Sequence, residues 1–274
     1  MAPCIARSTG SKPPCTREAD PLKILGVEIG DGGRARGERG QLAHLIERNA
    51  ALREVFSGEP ALQKRLEALQ KWQSRRLLRS HADLHASPRY RRATEFFFRE
   101  LYGEGDPKGR DRDLVRVQHV MRRLLPPAAL HALCLAIELE ILSQELDADV
   151  TRNLEDGPVS DETYAAAYRR ANRLPDRKRQ IALINEIGTY LDRVVRTPVI
   201  GALVRLARGP AHAAGFGSLQ EFLERGLVAF EAMRGADQFL STIRDREIRA
   251  MERVVAGVSD PFEFESRERQ ATGA

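Results

Sequence analysis

Two histidines four residues apart, His81 and His85, are the first candidates for chemistry in this chain. On a helix this spacing places both imidazoles on one face, where both could bind the same metal ion. A zinc protease carries His-Glu-x-x-His with the Glu as general base, whereas Ala82 stands in that place here. A zinc site also needs a third ligand, and no other His or Cys has a suitable spacing. We therefore predict no metal site and interpret the pair as partly buried or surface histidines.

Three glutamates, Glu138, Glu145 and Glu247, lie on or beside apolar helical stripes, where inward-facing carboxylates would be found. A di-iron bundle also needs Glu-x-x-His on two helices, and that pattern does not occur in the sequence. Each glutamate can instead pair with an arginine, because 38 of the 44 basic residues are Arg. No motif supports haem ligation by His119 or His131. The sequence predicts no metal or other cofactor and leaves any catalytic residue unidentified.

Residues 30–35 match the dinucleotide-binding pattern G-x-G-x-x-A and follow a strand-like segment, residues 22–29. That fold requires a helix directly afterwards and then a strand with an acidic end about 20 residues on. This chain instead runs through two more glycines into successive helical patterns. The phosphate-binding pattern G-x-x-x-x-G-K-[ST] and the nucleophile pattern G-x-S-x-G are absent from the sequence. We interpret the match as coincidental and expect a chain without catalytic activity.

The net charge of +5 is unevenly distributed along the chain. Residues 60–125 and 163–215 are basic, whereas residues 126–162 carry one basic and nine acidic side chains. Either the basic and acidic helices pair within the molecule or a basic face meets an acidic partner. Arginines interleaved with Trp72 and Tyr90 in the region 64–123 would suit nucleic-acid binding, through phosphate contacts and base stacking. These arginines are Arg75, Arg76, Arg79, Arg89, Arg91 and Arg92.

Helical periodicity continues almost without interruption from Gln41 to about Gly257. The pattern predicts helices over residues 41–56, 62–84, 87–103, 114–124, 128–149, 161–173, 175–195, 198–209, 219–230 and 236–255. Ser87, Ser160 and Ser218 are the expected N-caps. Residues 198–216 also fit an amphipathic helix on a membrane surface, but a core helix explains the same pattern. The prediction is an all-α, multi-helix bundle of about ten helices.

Composition divides the chain into a leader, a helical domain and a tail. Residues 1–39 are rich in Pro, Gly, Ser and Arg and are predicted to be a disordered leader. Residues 40–257 form the predicted helical domain, and residues 258–274 a disordered tail. The polar, Gly-Pro-containing segment 153–160 is the best candidate boundary between two lobes, 40–152 and 160–257.

Three consecutive phenylalanines spread aromatic surface over roughly 200° of the predicted helix 87–103, which makes it a central packing element. Its sequence resembles the signature of the bacterial FFLEELY-motif proteins. The resemblance rests on the run Glu95-Phe96-Phe97-Phe98-Arg99-Glu100-Leu101-Tyr102-Gly103, with the later runs 136–139, 208–211 and 219–226. It would cover about residues 45–256. Here Phe98 and Arg99 replace the Leu and Glu of the motif. The resemblance implies a helical bacterial protein and lends no catalytic residue.

No stretch approaches the roughly 20 apolar residues that cross a bilayer. The three cysteines form no Cys-x-x-Cys pair and no even framework, and residues 1–39 lack the apolar core of a secretory signal. We therefore expect a cytoplasmic protein. The favoured function is a non-catalytic scaffold or protein-interaction module. The alternatives are a nucleic-acid-associated factor and an enzyme or ligand carrier with a pocket between helices.

Overall fold

The computed structural model describes residues 32–102 and 127–264, and this part of the chain consists of helices and their connections. Ten helices follow one another, and no strand occurs in the described ranges. They are α1 (Gly32–Ser57), α2 (Pro60–Ser80), α3 (Ala82–Ala86), α4 (Arg91–Tyr102), α5 (Pro127–Asn153), α6 (Asp161–Ala171), α7 (Leu174–Val195), α8 (Pro198–Ala213), α9 (Gly217–Met233) and α10 (Asp237–Val255). The predicted all-α fold is confirmed. The predicted helix 114–124 lies outside the described residues, as do residues 1–31 of the leader and 265–274 of the tail.

Helix α5 is the centre of the molecule and contacts α1, α2, α6 and α7. Its apolar side chains divide between two neighbours. Leu130, Cys134, Ile137 and Ile141 pack against Leu42, Leu45 and Ile46 of α1. Leu139, Leu142 and Leu146 pack against Leu183 of α7. Helix α5 is apolar over more than half of its circumference, and this agrees with the burial of two of its sides.

The three phenylalanines of α4 point to three different neighbours. Phe96 contacts Phe222 of α9, with ring centroids 5.5 Å apart. Phe97 meets the edge of Phe239 of α10 at 5.9 Å. Phe98 is buried beside the ring of His81 at the end of α2. The central packing role predicted for this helix is therefore what the structure shows.

Helices from both sides of the segment 153–160 pack together. Helix α6 folds back against α5, and α7 lies between α5 and α10. The crossing of α7 and α10 is close because position 188 is glycine. A Cβ atom added to Gly188 would come within 2.4 Å of Leu240 Cδ2.

Several predicted boundaries differ from the structure. Helix α1 begins at Gly32, so residues 32–39 of the predicted disordered leader are helical. The predicted helix 62–84 is broken at His81, whose ψ of 30° is not helical. Helix α4 begins at Arg91 and not at Pro88, because Ser87 ends α3 and its carbonyl accepts from both Tyr90 and Arg91 in a turn. Helix α8 continues through Gly209 and Pro210 to Ala213. Helix α9 begins before Ser218, which therefore is not its N-cap.

Candidate functional site

The most elaborate polar arrangement of the described residues joins α2 to α10 in the interior. One guanidinium nitrogen of Arg76, Nη1, donates to both carboxylate oxygens of Glu247, at 2.6 and 2.8 Å. His81, which is fully buried, places Nε2 3.2 Å from the same carboxylate. Glu247 is thus enclosed between a guanidinium and an imidazole.

The carboxylate of Glu247 is held in its charged form. Burial alone would raise its pKa, but the charge of Arg76 and the hydrogen bond from His81 outweigh burial and lower the pKa to about 2. A buried carboxylate that stays ionised between two donors is a fixed structural charge. It is not poised to exchange a proton near neutral pH.

A second arginine explains why α2 ends at Ser80. Arg246 of α10 donates to the Ser80 carbonyl at 3.1 Å and forms two hydrogen bonds with Asp83, at 2.6 and 2.9 Å. The Ser80 carbonyl is therefore engaged by a tertiary contact at the point where the chain leaves the helix. The Arg246 side-chain hydrogen bond is the largest factor lowering the pKa of Asp83. Arg76 and Arg246 together hold α10 against the junction between α2 and α3.

A small cleft lies beside this network, between α2, α6, α7 and α10. Its polar wall contains Gln73, Arg177 and Gln180, all buried. Arg177 donates to Gln180 Oε1 at 3.1 Å and lies over the ring of Tyr168, 4.9 Å from its centroid. The space open to the centres of water molecules is about 40 Å³, which is room for about three waters. The cleft is thus smaller than a site for a typical metabolite or cofactor.

Asp147 lies behind the cleft and is deeply buried. It accepts a hydrogen bond from Gln73 Nε2 at 2.9 Å, whereas Gln73 Oε1 is buried without a hydrogen-bond partner in the described structure. Burial raises the pKa of Asp147 despite the opposing charge of Arg177. This group and Glu247 are therefore two interior carboxylates whose environments shift their pKa values in opposite directions.

The structure separates the two histidines that share helical spacing. His81 faces Glu247 in the interior, whereas His85 is half exposed and lies 3.5 Å from Glu95. Within residues 32–102 and 127–264, no three His, Cys, Asp or Glu side chains are grouped closely enough to hold a metal ion. His81 was expected to be partly buried or at the surface, whereas the structure buries it completely. The Arg76–Glu247 contact was not predicted as a pair, because 171 positions separate its two residues.

The other two candidate carboxylates also pair with arginine. Glu138 accepts from Arg179 at 3.0 Å, and Glu145 pairs with Arg48 of α1 and with Arg173. These contacts join the acidic helix α5 to basic residues elsewhere in the chain. Part of the acidic block 126–162 is therefore used for pairing within the molecule.

The arginines interleaved with aromatic residues do not form a stacking surface. Trp72 and Tyr90 are both buried. Arg76 is bound to Glu247, and Arg89 donates to the Met233 carbonyl at 2.7 Å. Arg79 pairs with Asp161. The exposed basic side chains in the described part of this region include Lys64, Lys71, Arg75, Arg91 and Arg92.

Helix α8 exposes one apolar face, which corrects its interpretation as a core helix. At 100° per residue, six apolar residues fall within an arc of about 140°, and all six are exposed: Ala202, Leu203, Leu206, Ala207, Pro210 and Ala213. The exposed fraction is 52% for Leu203 and 75% for Leu206. The opposite face packs on α9, where Arg208 pairs with Glu224. We call these six residues the α8 apolar face.

A family model matches residues 53–261 of the chain, which is most of its length. The chain belongs to the DUF8198 family, a domain of unknown function. Neither the curated proteins nor the solved structures contain a significant match to the chain.

The DUF8198 match covers α2 to α10, and so includes the Arg76–Glu247 pair, the cleft and the α8 apolar face. It ends at Pro261, one residue before the buried Phe262. Among the described helices, none has both the length and the hydropathy of a membrane-spanning segment.

Proposed function

We propose that the chain is a non-catalytic helical interaction module that binds a partner protein through the α8 apolar face. The exposure of Leu203 and Leu206 at the centre of a continuous apolar arc carries this proposal. Single exposed leucines are common on protein surfaces, whereas a contiguous apolar strip is typical of an interaction site. Its length, from Ala202 to Ala213, is three helical turns, about 16 Å.

The charge of α8 favours an acidic partner. The helix contains Arg205 and Arg208 and no acidic residue, and Arg205 is exposed at the edge of the apolar arc. Two copies packed through this face would bring like charges together. A helix with an apolar stripe and flanking Asp or Glu residues matches both the shape and the charge of the α8 apolar face.

Site-specific photo-crosslinking tests the proposal. The photoreactive residue p-benzoylphenylalanine replaces Leu203, or Val55 of α1 as a matched control with a 56% exposed side chain. We expect a discrete protein adduct in cells from position 203 and not from position 55. The variant Leu206→Glu should abolish the adduct at position 203. Equal labelling at both positions, or none at position 203, would refute the proposal.

Two alternative functions have less support. Nucleic-acid binding would rely on the exposed Lys64, Lys71 and Arg75 without aromatic stacking, because Trp72 and Tyr90 are buried. It predicts affinity for DNA or RNA that falls steeply with salt. A ligand carrier would need a cavity larger than the cleft beside Gln73.

We also infer a narrower identity and location from the sequence. The FFFRELY run of α4 supports a relationship to the bacterial FFLEELY-motif proteins. The buried thiol of Cys134 agrees with a reducing cytoplasm. Residues 40–257 are proposed as the functional domain.

A further inference from the structure

The residues after α10 form a strap, residues 258–264, whose only large side chain in the interior is Phe262. Its ring is 5% exposed and lies 5.8 Å from the rings of both Trp72 and Tyr164. The guanidinium of Arg76 lies over the same ring, 4.9 Å from its centroid. Ser80 Oγ donates to the Phe262 carbonyl at 3.2 Å. The helices thus form an aromatic pocket with a cationic wall, which we call the Phe262 pocket.

The surface beside the Phe262 pocket is basic and the strap is acidic. Arg253 of α10 donates to the carbonyls of Asp260 and Glu263, both at 2.8 Å. The guanidiniums of Arg249 and Arg253 lie over the ring of Phe264, at 5.5 and 5.8 Å. The strap therefore docks as a short peptide would, with a ring in a pocket and main-chain carbonyls held by arginine.

The strap is joined to α10 by exposed residues with unusual backbone angles. Gly257 has φ of 71°, and Asp260 has φ of 53° although it is not glycine. Residues 256–260 and Glu263 are exposed, whereas Pro261 and Phe262 are buried. Four of the seven strap residues are exposed, and a short non-helical segment of this kind can open locally without unfolding the helices that hold it.

We propose that the Phe262 pocket is a docking site for a phenylalanine-containing acidic segment of a partner protein, and that the strap is its built-in competitor. Trp72, Arg76, Ser80 and Tyr164 all lie within the family match, whereas Phe262 lies beyond its end. The match thus includes these pocket residues and strap residues 258–261, and it ends immediately before Phe262. The positive charge of Arg249 and Arg253 beside the pocket favours an acidic segment such as the strap itself, and exchange of straps between two copies is an outcome that the test distinguishes.

A peptide of the chain's own residues 259–266, capped at both ends and labelled with fluorescein, tests this proposal by fluorescence anisotropy. The full chain with Phe262→Ala, which vacates the pocket, should bind the peptide at least about tenfold more tightly than the wild type does. Replacing the first phenylalanine of the peptide with alanine should abolish binding. The control variant Val258→Ala, which keeps the pocket filled, should behave as wild type. Binding should also change the emission of Trp72, the only tryptophan of the chain.

Two peptide results would overturn the proposal. One is a Phe262→Ala chain with wild-type helicity that does not bind the peptide at about 1 mM. The other is equal affinity of this variant and the wild type, which would place the peptide elsewhere. A wild-type dimer that Phe262→Ala abolishes would overturn it in favour of exchange between copies.

Hydrogen exchange of the unmodified chain provides a test that does not depend on how well Phe262→Ala folds. If the strap opens locally, the amides of residues 262–264 should exchange much faster than the Val254 amide within α10. If both exchange with the same protection, the strap is part of the global core. The proposal is then wrong.

Discussion

The Arg76–Glu247 pair should be the most sensitive single contact in the interior. Glu247→Gln keeps the side-chain shape but leaves Arg76 buried without a countercharge and weakens the bond from His81. The pKa of Glu247 is lowered from 4.5 to about 2 in the folded chain. At about 1.4 kcal/mol per pKa unit, this corresponds to roughly 3 kcal/mol of folding free energy at pH 7. Removing one member of a buried ion pair costs about 3–5 kcal/mol, which agrees.

The effect must depend on pH with a definite sign. Because the pKa of Glu247 is lower in the folded state, its stabilisation is complete above pH 4.5 and is lost as the pH falls towards 2. At pH 3 the difference between wild type and Glu247→Gln should be clearly smaller than its value at pH 7. Urea unfolding followed by circular dichroism measures both values. Thermal unfolding at pH 7 should show a decrease of about 6–12 °C in Tm.

Two further variants make the test specific. Glu221→Gln changes a carboxylate that is 57% exposed and 3.6 Å from Arg225, so it should cost less than about 0.5 kcal/mol. The double variant Arg76→Met, Glu247→Leu removes both charges and should be more stable than Glu247→Gln alone. A loss below about 1 kcal/mol for Glu247→Gln at pH 7, or an equal loss at pH 3, would refute the assigned role of the pair.

Three further predictions concern stability. Asp147→Asn should raise stability relative to wild type more at pH 7 than at pH 3, because burial raises the pKa of Asp147 above its usual 3.8 and the ionised wild-type carboxylate becomes increasingly unfavourable as pH rises; a difference independent of pH in urea unfolding would contradict this. Gly188→Ala should cost about 1–3 kcal/mol by overpacking against Leu240, and an unchanged urea midpoint would show that Leu240 moves freely. Ser160→Ala should cost about 1 kcal/mol by removing the α6 N-cap, measured against Ser241→Ala on the exposed side of α10.

Helix boundaries were predicted correctly where a short sequence signal, such as an N-cap or a first-turn proline, determines them without a tertiary contact. Ser160 accepts from the Thr163 amide and Thr163 Oγ1 accepts in return, so the cap depends on residues three positions apart. Pro175 and Pro198 likewise lie in the first turns of α7 and α8. Prediction failed at His81, because the break there is tied to Arg246, which lies 166 positions from the Ser80 carbonyl that it binds.

The interior network could not be read from the sequence for the same reason. The spacing of Arg76 from Leu69 and Trp72 places it on the buried face of α2, whereas Arg75 lies off that face. Nothing local identifies its partner, because only the packing of α10 against the junction of α2 and α3 places Arg76 on Glu247. The pattern of α8 was equally ambiguous. Apolar residues on both sides of a helix predict burial, and the sequence does not show that α8 is covered on one side only.

The distribution of charge explains why an apolar face, rather than a basic one, is the stronger candidate for recognition. Helix α5 carries acidic side chains that pair with Arg48, Arg53 and Arg179 from α1 and α7. Much of the positive charge is thus already neutralised within the fold and contributes little attraction to an external polyanion. By contrast, the leucines of the α8 apolar face are exposed, and burying them requires a second surface. Recognition through α8 is accordingly expected to depend strongly on Leu206, with a smaller dependence on salt through Arg205.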